Sequence, residues 1–320
     1  MAKFSKQVDL QGYLFPVEEL PIYVGETKKE LKDFKAIVGT IDKNKKKVFS
    51  IVSKNYKLIT NESAISIGKQ LHLQLFPESN ADAFEIFNII APKTKSFCQI
   101  DFIDKNNTLK ILKGDTYQPF IRINNSYNRM KALTFDIGFC RSICSNGIIF
   151  GDKSIKISSE HNKYTSSTSL INSINKGDFN RLKNEFVATV SKLQGIKIPC
   201  KYFMPLAAKV LSIDNRKNLP TVRSKKLQKE KHAYFRERMA QLISRYVILE
   251  EMGETAYAFF NVITDYASNS EQLPANTIHG NQRKCGNWLK EFVARVNNDD
   301  INWNDEVIGF ENWLETNIVG

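Results

Sequence analysis

A short segment from residue 223 to residue 238 has the residue types that bind nucleic acid. It reads RSKKLQKEKHAYFRER, and its seven basic and two acidic residues leave a surplus charge of +5 over sixteen residues. Lysine and arginine side chains neutralise backbone phosphates, and an aromatic ring among them stacks on a base. The segment therefore predicts a nucleic-acid contact. The residues expected to make it are Arg223, Lys225, Lys226, Lys229, Lys231, Tyr234, Arg236 and Arg238.

The spacing of these side chains favours a helix with a basic face. From Lys225 to Arg236, basic side chains and His232 recur every three or four positions, which places them on one side of a helix. Tyr234 and Phe235 follow closely enough to stack on a base. Another interpretation stays open, in which the basic face is only solvated and both aromatic rings belong to the core.

Two more clusters of basic residues strengthen the nucleic-acid interpretation. One falls on a predicted hairpin tip, and the other falls on the last long predicted helix. Together with the first segment they would attract a polyanion if all three shared a surface. A cluster taken alone is an ordinary charged patch. The two clusters are Lys43, Lys45, Lys46 and Lys47, and Arg283, Lys284, Lys290 and Arg295.

The stretch RSICSNG, from Arg141 to Gly147, allows two interpretations. An apolar strand precedes it, an apolar strand follows it, and the dipeptide Asn-Gly tolerates the positive φ angles of tight turns. In the first interpretation the stretch is a β-hairpin, in which Arg141 pairs with a carboxylate and Cys144 is a small core residue. In the second, Arg141 and Asn146 donate hydrogen bonds to a phosphate or a base.

The sequence contains no established catalytic or metal-binding motif. It has no Gly-x-Ser-x-Gly elbow, no His-Glu-x-x-His pair and no glycine-rich phosphate loop. Cys140 and Cys144 lack two further ligands at a spacing typical of zinc. We therefore predict no catalytic residue, no metal and no cofactor. One enzymatic alternative stays open, a metal-dependent nuclease whose carboxylates converge in the fold. Its candidate ligands are Asp101, Asp104, Asp115 and Asp136.

The overall composition is that of a folded, basic protein. Hydrophobic residues make up 42% of the 320 residues and charged residues 25%, which is near the globular average. Forty-six Lys and Arg against 34 Asp and Glu give a formal net charge of +12 and a pI near 9.3. Such a surface attracts polyanions. A lysine-rich coding bias is the alternative explanation of the charge.

Hydrophobic periodicity predicts an α+β fold. Residues 1–35 contain prolines and a charged run and are expected to form an extended N-terminal arm. Residues 36–320 are expected to form a single composite domain, β-rich over 36–158 and helical over 159–320. The architecture that suits this order is an antiparallel sheet with helices packed on one side.

Turn and cap residues predict several individual elements. The strands AIVGTI and VFSIVS form a hairpin with a basic tip. A helix runs through AISIGKQLHLQLF, with Asn61 or Ser63 as its N-cap. A second helix begins near Lys225 and ends at Gly253, and a third, TAYAFFNVITDYASN, is apolar enough to be buried.

Three sequence blocks together resemble the domain of unknown function 932, also called the phage/plasmid-like protein family. They are VFSIVSKNYKLITNESA, GDTYQPFIRINNSYNRMKALTFDIGFCRSICSNGIIFG, and ETAYAFFNVITDYASN with the basic helix after it, and they follow the family's order between residues 40 and 297. The middle block is the most specific, because RSICSNG is similar to the family's Arg-x-x-Cys-x-Asn-Gly signature. The resemblance implies a setting in phages, prophages and plasmids, but no reaction.

The N-terminal sequence MAKFSKQVDLQGYLFPVEEL lacks the continuous apolar stretch of a signal peptide or a membrane span. The five cysteines are an odd number, which is typical of reduced thiols rather than of a disulfide framework. We therefore expect no membrane partner and a cytoplasmic location, and the family resemblance implies that the cytoplasm is that of a bacterial host.

These observations lead to one leading hypothesis and two alternatives. The leading hypothesis is a non-catalytic nucleic-acid-binding accessory protein of a phage or plasmid, with DNA as the expected partner, bound as single strands in replication or recombination. The first alternative is a phage-encoded interaction protein that inhibits or redirects a host defence protein. The second is the metal-dependent nuclease. Strand preference and oligomeric state stay open.

Overall fold

The computed structural model confirms the α+β prediction. Antiparallel sheets occupy the N-terminal and middle parts of the chain, and helices occupy the C-terminal part. The structure describes residues 10–41, 45–112, 115–141, 146–148, 156–159, 161, 166–172, 176–213, 225–270, 275–297 and 302–303.

The chain divides into two compact units, and each unit is assembled from separate chain segments. That residues 36–320 form one composite domain stays a prediction. The first unit contains Met1–Thr108, Gln118–Phe139 and Lys153–Leu182, and the second contains Leu109–Tyr117, Cys140–Asp152 and Lys183–Gly320.

A three-stranded antiparallel sheet lies in the first unit. Its strands are β1 (Val17–Val24), β2 (Lys29–Ile41) and β3 (Lys45–Ser53), in the order β1-β2-β3. The predicted hairpin of AIVGTI and VFSIVS is formed by β2 and β3. The predicted N-terminal arm supplies β1 and the first part of β2. Within the described residues this arm is therefore a paired part of a sheet, because the backbone of β1 bonds along β2.

The second sheet contains strands that are buried on both faces. Its strands are β4 (Phe84–Ile90), β5 (Phe97–Asp104), β6 (Leu109–Leu112), β7 (Asp115–Ser126), β8 (Leu133–Arg141), β9 (Asn146–Ile148) and β10 (Lys156–Ser159). Five of them follow the order β10-β8-β7-β5-β4, and the short β6 and β9 pair with β7 and β8. Nearly every residue of β5 and every residue of β8 is buried. Because successive side chains point to opposite faces, both faces of these strands are covered.

Helix α1 (Asn61–Leu75) packs on β7 in the first unit. Gly68 faces Ile123 so closely that a side chain on it would collide with the isoleucine. The sequence prediction of Asn61 or Ser63 as the N-cap of α1 is wrong. Thr60 caps the helix, because its hydroxyl accepts a hydrogen bond from the backbone nitrogen of Ser63 at 3.1 Å. Asn61 lies inside the helix, where it is buried.

The helical part of the chain places one almost wholly buried helix among several amphipathic ones. The helices are α2 (Ser167–Asn172), α3 (Lys176–Lys192), α4 (Phe203–Leu211), α5 (Lys225–Ile243), α6 (Tyr246–Met252), α7 (Ala256–Asn269) and α8 (Ala275–Asn297). As predicted, α7 is buried, and it contacts α4, α5, α6 and α8. Among the described residues, no helix has the length and apolar character needed to cross a bilayer.

The helix predicted from Lys225 to Gly253 is divided in two. A turn at Ser244 and Arg245 separates α5 from α6. The guanidinium of Arg245 donates to the carbonyl of Gln241, which a continuing helix would have offered to a backbone amide. The side chain thus satisfies a carbonyl at the end of α5.

Candidate nucleic-acid interface

The C-terminal part of α5 has one buried face and one exposed face. Phe235, Met239 and Leu242 are 3%, 4% and 1% exposed, and their spacing places them on the side that packs into the core. Tyr234 is 48% exposed on the other side. The two aromatic residues of the basic segment therefore have different environments, Phe235 in the core and Tyr234 at the surface.

Arg238 is held beside Tyr234 by a residue of the neighbouring helix α7. Its guanidinium carbon lies 5.1 Å from the centroid of the Tyr234 ring, and its Nε donates to the hydroxyl of Tyr266 at 3.0 Å. Burial raises the pKa of Tyr266, and the positive charge of Arg238 only partly opposes that effect. The hydroxyl is therefore neutral, so Arg238 is oriented without losing its net charge.

Lys284, on α8, lies within the electrostatic reach of Arg238. Its Nζ donates to the carbonyl of Leu211, the last residue of α4, at 3.1 Å. Burial lowers the pKa of Lys284, and the like charge of Arg238 lowers it further, while Cys285 acts in the opposite direction. The fold thus places Arg238 of α5 within electrostatic range of Lys284 of α8.

The carboxylate of Asp265, on α7, is already paired. The Nε of Arg245 donates to Asp265 at 2.7 Å, and its guanidinium lies 5.3 Å from the centroid of the Tyr266 ring. Within the described residues, neither Arg238 nor Lys284 has a carboxylate partner. This surface, which we call the α5–α8 surface and define by Tyr234, Arg238 and Lys284, therefore carries a surplus of positive charge.

Tyr266 and Arg245 are contributors that sequence reasoning did not select. The sequence places Tyr266 in an apolar helix, and its ring is indeed buried. Only its hydroxyl takes part, by orienting Arg238. The one signal in the sequence for this role was that position 266 is a tyrosine rather than a phenylalanine, because a buried hydroxyl needs a hydrogen-bond partner.

The remaining basic residues predicted for this interface have varied positions. Arg236 is exposed on α5, and Arg283 is exposed on α8 next to Lys284. Four predicted lysines lie on the first two turns of α5, but their side chains fall outside the described residues, as does the whole of Arg223. These four are Lys225, Lys226, Lys229 and Lys231.

The basic cluster predicted at the tip of the β2–β3 hairpin, from Lys43 to Lys47, belongs to the first unit. Lys45 and Lys46 are exposed at the start of β3. The Nζ of Lys46 forms an ion pair with Glu18 at 2.6 Å, and the Nζ of Lys47 donates to the carbonyl of Thr94 at 3.2 Å. Lys43 lies outside the described residues. Part of the charge of this cluster is therefore neutralised within its own sheet.

Arg141 is a buried ion-pair residue. It is 8% exposed, and its Nε donates to Asp115 at 2.7 Å, while the hydroxyl of Tyr257 donates to the other oxygen of the same carboxylate. This geometry matches the first interpretation of RSICSNG, in which Arg141 pairs with a carboxylate. The turn predicted at Asn146 and Gly147 is wrong, because both residues lie in β9. The residues between β8 and β9 and the side chain of Asn146 fall outside the described residues.

The four aspartates considered for a nuclease are each bonded to a different neighbour. None of them shares a site with two other potential ligands, since the described residues contain no group of three His, Cys, Asp or Glu side chains able to hold a metal. Asp101 bonds Arg122, Asp104 bonds His72, Asp115 bonds Arg141 and Asp136 bonds Asn124.

Comparison with known proteins defines the family of the chain. The model of the family described as domain of unknown function DUF932 matches residues 48–305, and the chain belongs to this family. The match begins within β3 and includes α5, α7 and α8, whereas β1 and β2 precede it. No curated protein and no solved structure matches the chain. The matched region therefore includes the residues of the α5–α8 surface, but the family description supplies no activity for them.

Proposed function

We propose that this protein is a non-catalytic nucleic-acid-binding accessory protein and that the α5–α8 surface contacts its ligand. The observation that carries the proposal is the convergence of Arg238 and Lys284 without a carboxylate partner, beside a Tyr234 ring that is 48% exposed. Two cations bind successive phosphates, and the ring offers an aromatic surface to a base. The lysines in the first turns of α5 would extend the contact along the backbone of the ligand.

Single-stranded DNA is the ligand that this chemistry favours. A base stacks on tyrosine only when it is not already stacked within a duplex, so an exposed ring among cations selects unpaired bases. The proposal includes the setting implied by the family resemblance, replication or recombination of a phage or plasmid in the cytoplasm of a bacterial host. A phage-encoded protein that inhibits or redirects a host protein is the competing function.

Fluorescence anisotropy with labelled DNA tests the proposal. The full chain is titrated into single-stranded and double-stranded oligonucleotides of equal length over a series of salt concentrations. We expect tighter binding of the single strand, with an affinity that falls steeply with salt, because binding releases counterions from the phosphates. Changing Lys225, Lys226 and Lys229 together to glutamate should weaken binding by about 100-fold or more, since three contacts become three repulsions.

A matched control separates the interface from overall charge. Lys69 is exposed on α1 in the other unit. Lys69→Glu reverses one positive charge outside the α5–α8 surface, a third of the change in the triple variant, and should change the affinity by less than about twofold. Absence of binding to either DNA at low salt would refute the proposal, and pull-down of a host protein in a salt-insensitive complex would then favour the competing function.

A further inference from the structure

Two connections of the second sheet lie along strand β3, and all three belong to the first unit. Near the start of β3, the Nζ of Lys47 donates to the carbonyl of Thr94, in the loop between β4 and β5, at 3.2 Å. Further along β3, the hydroxyl of Ser50 donates to the carbonyl of Tyr127, which begins the turn between β7 and β8, at 2.6 Å. The loop and the turn therefore follow β3 one after the other, about 10 Å apart.

The loop between β4 and β5 contributes two cations. Thr94, the acceptor of the first contact, has a lysine on either side: Lys93 is exposed, and Lys95 is half-buried. The Nζ of Lys95 lies 6.0 Å from the ring centroid of Tyr13 and 5.9 Å from that of Phe15. The two rings orient this ammonium group without neutralising it, so its charge remains available to an anion.

The turn between β7 and β8 contributes Arg129. This residue is exposed and has a positive φ of 62°, which non-glycine residues adopt rarely. It lines a cavity together with Ser53, the last residue of β3, so the turn reaches the far end of the strand. From Lys47 to Ser53 the strand covers about 20 Å. A nucleic-acid strand carries one phosphate per about 3.4 Å of duplex axis, so several phosphates fit along this length.

Positive charge is in excess along this row. The loop and the turn contain no acidic residue. The carboxylates of the nearby strand β1, Glu18 and Glu19, are each paired with a lysine of their own sheet. Among the described residues, no carboxylate pairs with the cations that the loop and the turn contribute. We call this row the β3 surface and define it by Lys47, Lys93, Lys95 and Arg129.

We infer that the β3 surface binds a second single strand of nucleic acid, so that one molecule holds two strands, one on each unit. The inference rests on the proposed function, in which the α5–α8 surface of the second unit binds the first strand. A single row of cations contacts one sugar-phosphate backbone, and such contacts are independent of base sequence. A protein with two such surfaces bridges two strands, which a protein with one surface cannot do.

Isothermal titration calorimetry of the full chain with an oligothymidylate of about twelve nucleotides counts the bound strands. We expect two strands per chain. Lys93→Glu combined with Arg129→Gly should leave one, because the second site should lose about 100-fold in affinity when three units of positive charge are removed. Both side chains are exposed, and glycine accepts the positive φ of position 129, so the fold should be kept.

Lys69→Glu combined with Lys28→Gly is the matched control. Lys69 is exposed on α1, and Lys28 is an exposed cation with a positive φ of 49° in the turn between β1 and β2. Both lie in the first unit and outside the β3 surface. This variant has the same change of charge and of backbone freedom and should still bind two strands, each within about twofold of the original affinity.

Energy transfer between two oligothymidylates, one with a donor dye and one with an acceptor dye, detects bridging directly, because these strands cannot pair with each other. We expect transfer with the original protein and with the control variant. Lys93→Glu combined with Arg129→Gly should reduce the transfer at least about tenfold at the same protein concentration while one strand stays bound. High salt should abolish the transfer, since both contacts release counterions.

The stoichiometry separates failure of this inference from failure of the proposed function. One strand per original chain, or two strands on the variant with Lys93→Glu and Arg129→Gly, overturns the inference. Changing Lys225, Lys226 and Lys229 together to glutamate should leave one strand, on the β3 surface. Two strands on that triple variant would instead refute the role of α5 in the proposed function.

Discussion

Arg122 in the first unit and Arg238 in the second unit are both set beside an aromatic ring, yet their electrostatic situations differ. The guanidinium of Arg122 lies 5.7 Å from the ring centroid of Phe120, and that of Arg238 lies 5.1 Å from that of Tyr234. Arg122 is 1% exposed and forms two hydrogen bonds of 2.6 Å to the carboxylate of Asp101. Arg238 is partly exposed and bonds a neutral hydroxyl.

The difference shows that the partner of a cation, more than its position in a basic sequence, indicates what the cation does. A buried bidentate pair cancels its own field and acts within the fold. A cation oriented by a ring and a hydroxyl keeps its field and remains available to an anion. Arg141, paired with Asp115, belongs to the first kind, although the sequence allowed it a binding role.

The largest expected effect is on the buried pair. Asp101→Asn leaves Arg122 as a buried charge without its carboxylate, which should lower the free energy of unfolding by about 3–5 kcal/mol. Urea denaturation followed by circular dichroism measures this loss. Asp101→Leu combined with Arg122→Met should recover most of it, since the double change removes both charges. A loss below about 1 kcal/mol for Asp101→Asn would contradict the contrast between the two arginines.

Arg238→Gln should weaken DNA binding and leave the free energy of unfolding nearly unchanged, in contrast to the destabilisation expected for Asp101→Asn. We expect about a tenfold loss of affinity for single-stranded DNA and a decrease of about one in the salt slope, because one phosphate contact disappears. The free energy of unfolding should change by less than about 1 kcal/mol, because the side chain is partly solvated and its partner is neutral. Anisotropy and urea denaturation on the same variant check both values. A variant that is destabilised by several kcal/mol without weakened binding would place Arg238 with the structural arginines.

Acid should weaken the first unit through its buried histidines. Burial lowers the pKa of His72 below 6.5, and the neighbouring carboxylate of Asp104, 2.9 Å away, opposes this only in part. Because the folded state resists protonation, the stability present above pH 6.5 is lost as the pH falls below that value. His161 has a pKa lowered in the same direction.

Urea denaturation at a series of pH values between 7.5 and 5 measures this loss. His72→Gln should flatten the dependence of stability on pH, whatever its effect on the stability at neutral pH, and His72→Gln with His161→Gln should flatten it further. A slope that the substitutions leave unchanged would show that other groups control the acid response.

The smallest effect is expected at the exposed pair of Lys46 and Glu18. Their side chains are 59% and 46% exposed, and solvent screens the attraction between them. Lys46→Ala should lower the free energy of unfolding by less than about 1 kcal/mol. The same denaturation experiment checks it. A loss as large as that for Asp101→Asn would mean that exposure does not separate the two kinds of pair.

Local patterns predicted much of the secondary structure. The β2–β3 hairpin, α1 and the buried α7 agree with the sequence analysis, because each depends on hydrophobic periodicity and turn residues within one stretch. The wrong predictions concern the residues at which helices begin and end. Thr60 rather than Asn61 caps α1, and Arg245 ends α5 early, since each outcome depends on one side-chain hydrogen bond.

The sequence by itself determined the family, the α+β class, the excess of positive charge and the basic character of α5. Only the tertiary structure decided which cations are neutralised. Arg238 lies within electrostatic range of Lys284, Arg141 pairs with Asp115, and His161 stacks on Tyr56, each across a long separation in the chain. Periodicity reports the local direction of a side chain, whereas its charge state and availability depend on the partner that the fold brings to it.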